Sequence, residues 1–71
     1  MAFDYSELRG RIVTKCGNQS EFAKRIGMKP QALSRKLNNQ VGITKEEILD
    51  WSEILEIEPS EFGKYFFTLK V

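Results

Sequence analysis

Gln31, Ser34 and Arg35 are the residues of this chain whose types and spacing best suit chemistry, and that chemistry is hydrogen bonding to base edges. At about 100° per residue the three share one side of a helix, with Asn38 beside them and Leu33 and Leu37 opposite. An arginine can fork onto guanine and a glutamine onto adenine in the major groove, which admits one α-helix. Lys24, Arg25, Lys29 and Lys36 lie close by and add positive charge. The same polar side would also serve an ordinary surface helix that faces water.

Catalysis is poorly served. The chain has no histidine and one cysteine. That removes the commonest general base and metal ligand, and leaves no cysteine pair for a disulfide or a zinc finger. Glu46, Asp50, Glu53 and Glu56 are spread along one segment rather than paired, with no nucleophile or metal ligand beside them. No enzymatic activity, cofactor, metal or small-molecule substrate is expected. A chain of 71 residues buries roughly 60% of its unfolded surface, enough for one thin core. The expectation is a single domain over residues 1–71. The 41% hydrophobic and 30% charged shares suit a globular chain rather than a disordered one. No apolar run approaches a membrane span, and MAFDYSELRG lacks the pattern of a signal peptide. A soluble, intracellular protein with no membrane partner is expected.

Charge is divided unevenly. Residues 1–45 carry nine basic side chains against three acidic ones, a balance of +6. Residues 46–71 carry Lys64 and Lys70 against seven acids, a balance of −5. A basic first part and an acidic last part suggest surfaces for two kinds of partner, or two solvated helix faces.

Five helical segments must position these groups. Leu8, Ile12 and Cys16 repeat every four residues with Val13 alongside; Asp4 or Ser6 can cap the start and Gly17 fits past the end. Cys16 on this stripe reads as a buried structural thiol. Asn18 is the natural N-cap of a second helix, with Glu21 as capping-box partner and Phe22, Ala23 and Ile26 inward. Gly27 suits the left-handed stop, and Pro30 suits the first turn of a third helix. The result is helix, tight turn, helix over about 19–38. NNQVG is a loop. Thr44 and Glu47 then make a capping box for a fourth helix, with Ile48, Trp51 and Leu55 inward and Leu49 and Ile54 towards its edges. Pro59 and Ser60 open a short fifth helix carrying Phe62, Tyr65 and Phe66. The end, FFTLKV, is apolar and β-prone; it packs back on the core, or adds a strand or patch to a dimer.

With those elements placed, NQSEFAKRIGMKPQALSRKLNN resembles the lambda-repressor-like family of helix-turn-helix proteins, to which phage Cro-type regulators belong. Glutamine starts the first helix, alanine follows in its interior, glycine marks the turn, and leucines stand where the family buries its second helix. MAFDYSELRGRI and EFGKYFF look like small phage or prophage proteins of low-GC Gram-positive bacteria. The resemblance implies an all-α, compact five-helix lambda-repressor-like domain with a short apolar tail. It also implies a cytoplasmic location in a bacterial host, and binding of a double-stranded DNA operator by a homodimer. Carried over position by position, Gln31, Ser34 and Arg35 would read bases. Gln19 and Ser20, at a helix N-terminus, would face phosphate. Lys29, Lys36, Asn38, Asn39 and Gln40 would touch the backbone. Two departures stand out. Lys29 takes the place where the family uses serine or threonine as cap, and the loop NNQVG lacks positive charge, which lowers the counterion-release contribution.

Two functions follow from these residues and this resemblance. One is a sequence-specific, Cro-type transcriptional regulator, its dimer spacing two recognition helices about 34 Å apart. The other is an anti-repressor or modulator of repression, binding the phage repressor protein through Glu46, Leu49, Asp50, Glu53 and Ile54. The outward face of the third helix favours the first; the small net charge favours the second.

Overall fold

Local chemistry sets several of the helix ends of this chain, as a computed structural model describing residues 2–70 makes visible. The helices are α1 (Ser6–Cys16), α2 (Gln19–Arg25), α3 (Pro30–Leu37), α4 (Lys45–Leu55) and α5 (Phe62–Phe66), with a 3-10 turn over Pro59–Glu61 before α5. Asp4 Oδ1 accepts from the Ser6 N–H and Oγ at 2.9 and 2.6 Å, so the aspartate serves α1 from one position ahead of its N-cap. The N-cap position itself is Tyr5, whose ring goes into the core. Gly17 stops α1 with φ 91°, its N–H donating to the Val13 carbonyl at 2.9 Å. In α2, Asn18 Oδ1 accepts from the Glu21 N–H at 2.8 Å. Glu21 makes no return bond to the cap and lies 3.8 Å from Arg25 Nε, so that capping box is half formed. At α4 the box is complete: Glu47 N–H donates to Thr44 Oγ1 at 3.1 Å, and Thr44 N–H to Glu47 Oε1 at 2.8 Å.

The helices close on one core. Leu8, Ile12, Phe22, Ala23, Leu33, Leu37, Trp51, Leu55 and Phe66 are buried in it. Trp51 sits at the centre, edge-on to Phe22 at 5.4 Å and 82° and beside Phe66 at 6.5 Å. An edge-to-face pair of this kind contributes about 0.5–1.5 kcal/mol beyond its buried area. Two features depart from the helical pattern. Val13, expected beside the inner stripe of α1, is 56% exposed. Ile57, beyond the end of α4, is buried.

The tail folds back on its own chain. Phe3 and Leu69 form an isolated antiparallel bridge, framed by Asp4 N–H to Thr68 O at 2.7 Å and Lys70 N–H to Ala2 O at 3.0 Å. Of FFTLKV, Val71 lies outside the described residues. No helix among the described residues is long and apolar enough to cross a membrane.

Candidate interaction site

The segment α2–turn–α3 presents its polar side as the spacing predicts. Leu33 and Leu37 are buried. Gly27, at φ 70°, ends α2, and Pro30 opens α3 only three residues later. Lys29, the N-cap of α3, is extended and makes no side-chain cap bond. Gln31 and Arg35 are exposed, whereas Ser34 is half-buried. Ser20, Lys29 and Gln40 are exposed and Gln19 is half-buried. Ser20, Lys24 and Lys29 border one shallow hollow beside Met28 and Pro30.

Three of the residues expected at the DNA backbone make hydrogen bonds within the molecule. Lys36 Nζ donates to the Gly42 carbonyl at 2.8 Å and pairs with Glu47 at 3.0 Å, leaving its side chain 12% exposed. Asn38 Oδ1 accepts from Arg9 Nη2 at 2.8 Å, and its Nδ2 reaches Ser34 Oγ at 3.3 Å. Asn39 stands at φ 64° and grips Phe3 with both ends of its amide, Oδ1 accepting from the N–H at 2.8 Å and Nδ2 donating to the carbonyl at 2.9 Å. Lys36, Asn38 and Asn39, expected at the DNA backbone, are thus engaged within the molecule. The physical reason is that the Gly42 carbonyl, the Arg9 guanidinium and the backbone of Phe3 each need a hydrogen-bond partner, and these side chains supply it.

The basic first part of the chain is depleted in the same way. Arg9 also donates to the Leu37 carbonyl at 2.9 Å, closing the C-terminus of α3. Arg11 donates to the carbonyls of Leu55 and Glu56, both at 2.8 Å, closing α4. Lys15 pairs with Glu56 at 2.8 Å. A cation at a helix C-terminus meets unpaired carbonyls and the negative end of the dipole. The sequence signal for these two arginines is their position on α1, but the carbonyls they reach are 28 and 44 residues away.

Electrostatics follows the hydrogen bonds. Burial works against the Glu47 carboxylate, but the Thr44 N–H and the Lys36 ammonium outweigh it and hold its pKa below the ordinary value. The Lys15 ammonium likewise lowers Glu56, and the Ser6 hydroxyl and N–H lower Asp4. Burial pushes Tyr5 up.

The outer side of α4 carries the other five candidates, and it is an arc rather than one patch. Leu49 and Ile54 are about 140° apart on the helix. Ile54 is half-buried and sits with Arg25, Ile26, Asp50 and Glu53. Leu49 is 61% exposed and borders a separate groove with Lys45, Ile48, Phe62 and Phe67. Glu46, Asp50 and Glu53 are exposed between the two apolar ends. Phe62 and Phe67 line this groove, which the pattern of α4 alone could not reveal, since they come from the end of the chain. Among the described residues no group of acidic, cysteine or histidine side chains is arranged to hold a metal ion.

Comparison with known proteins gives this geometry a setting. Residues 1–69 match the family described as "Protein of unknown function (DUF739)". No curated protein matches the chain. Among solved structures, the chain is similar to the solution structure of the modulator of repression (MOR) of the temperate bacteriophage TP901-1 from Lactococcus lactis. The identity is 44%, the match covers 100% of this chain and 96% of the other, and the TM-score is 0.85.

Proposed function

This chain belongs to the DUF739 family, and we propose that it modulates phage repression by binding a repressor protein rather than by reading an operator alone. The observation that carries this reading is the 44% identity to a phage modulator of repression over the whole chain. The side-chain geometry supports it. Arg9, Arg11 and Lys36 are engaged inside the molecule, and Lys15 in a surface pair with Glu56. Much of the affinity of a DNA-binding protein comes from cations that displace counterions from phosphate. Cations already bound to carbonyls and carboxylates contribute little to that. The exposed carboxylates of α4 suit a cationic partner instead, and the surface by which a repressor holds DNA is necessarily cationic.

A second reading keeps operator contact for α3. It is favoured by Gln31 and Arg35, which stand exposed on a helix anchored by Leu33 and Leu37. One experiment separates the two. A mobility shift on the promoter region of the phage genome is run at stated salt with this chain, with the repressor, and with both. Loss of the repressor's shift, with none from this chain alone, is the expected result. A direct shift by this chain at one short site would instead select operator reading. Arg35→Ala would then cost about 1–3 kcal/mol and relax preference at one base.

A further inference from the structure

The groove beside Leu49 has the make-up of a receptor for one side chain. We infer that this groove, between α4, α5 and the tail, takes an apolar anchor from a cationic helix of the repressor. The inference rests on the reading above that a repressor is the partner, and it names the place and chemistry of contact. Ile48, Leu49, Phe62 and Phe67 line the groove, and Lys45 is its one polar lining residue. Leu49 is 61% and Phe67 53% exposed, among the most exposed large apolar side chains described. The cavity measures about 280 Å³. Small-molecule sites run from roughly 300 to 1,000 Å³ and carry convergent polar groups. This groove stands at the lower edge of that range and lacks those groups, so an aliphatic or aromatic side chain fits it better than a ligand.

Charge selects the kind of helix that brings the anchor. Glu46 and Glu53 stand three residues before and four after Leu49, and so on the same face of α4. Asp50 is adjacent. Among the described residues none of these three carboxylates has an ion-pair partner, whereas Glu7, Glu21, Glu47 and Glu56 each have one. The three carboxylates flank the groove on its α4 side, and an apolar pocket with a charged rim is the anatomy of a specific protein interface, with the anchor supplying most of the energy and the rim the orientation. The same carboxylates repel nucleic acid and anionic lipid. A second copy of this chain fits poorly too, because an isologous pairing would set these acidic faces against each other.

The test uses the full chain and the purified repressor, with the dissociation constant read by calorimetry. Leu49→Glu and Phe67→Ser are expected to weaken binding about tenfold or more. Glu53→Lys is expected to weaken it and to reduce its salt dependence. Val13→Glu, equally exposed but outside the groove, should leave it unchanged. Circular dichroism confirms that each variant folds; Leu49 is exposed enough that its substitution does not touch the core. If the unaltered chain binds the repressor and the Leu49 and Phe67 variants bind equally well, the groove is excluded while the repressor reading stands. If the unaltered chain leaves the repressor unbound, both fall. A self-associated chain whose mass drops to that of the monomer in Leu49→Glu would give the groove to a second copy and overturn the inference.

Discussion

Glu47 shows how one side chain decides what its neighbours are free to do. Its carboxylate caps α4 through the Thr44 N–H and at the same time holds Lys36 at 3.0 Å. A lysine in that position is part of the joint between α3 and α4. The folded pKa of Glu47 lies below its ordinary value of 4.5. Its contribution to stability is therefore complete above the unfolded pKa and is lost as pH falls through the lower, folded pKa. Glu47→Gln should unfold at lower urea concentration than the unaltered chain at pH 7, and the gap should shrink as pH falls below the ordinary value of 4.5. A gap that is the same at both ends of that range would show that the charge of Glu47 does not stabilise the joint.

At the scale of the elements, two residues in the left-handed region end segments in opposite ways. Glu56 follows α4 at φ 56° and Asn39 follows α3 at φ 64°. At Glu56 the backbone is held from outside, by Arg11 on its carbonyl, while its own carboxylate makes only an exposed pair with Lys15. Glycine at that position relieves the left-handed strain and gives up a surface ion pair of small worth. Glu56→Gly should thus be neutral or stabilising by up to about 1 kcal/mol. Asn39→Gly relieves less strain, since asparagine tolerates the left-handed region, and removes two hydrogen bonds that pin Phe3. It should destabilise by about 1–2 kcal/mol, since each such bond contributes about 1 kcal/mol net. Thermal melts of the two variants side by side decide it: equal shifts would mean that the Asn39 clasp contributes nothing.

The whole molecule turns its surplus charge outward unevenly. Arg9, Arg11 and Lys36 of the basic half are taken up at helix C-termini and the α3–α4 joint, whereas Glu46, Asp50 and Glu53 remain exposed. A net charge of +1 therefore conceals an acidic face on α4. If that face steers a cationic repressor, the association rate should fall as salt rises from about 50 to about 300 mM, with dissociation changing less. Stopped-flow mixing at several salt concentrations measures both. An association rate indifferent to salt would mean that the carboxylates play no part in encounter.

The amino-acid sequence by itself determined the local events of this fold. The α2–α3 turn with its Gly27 and Pro30, the Thr44–Glu47 box, the Gly17 stop and the inward placing of Leu33, Leu37 and Trp51 all depend on neighbours within about four residues, which helical period and capping chemistry make readable. The all-helical, five-helix architecture follows from them. Only the tertiary structure decided which charged and amide groups remain available. Arg9 and Arg11 read as surface cations until they meet the ends of α3 and α4, and Asn39 reads as a loop amide until Phe3 arrives from the far end of the chain. The groove at Leu49 belongs to the same class, because Phe67 reaches it from residues that follow α4 by more than ten positions. A hydrogen bond or an apolar contact between segments distant in sequence leaves no periodic trace, and availability for a partner is what remains after all such contacts have been made.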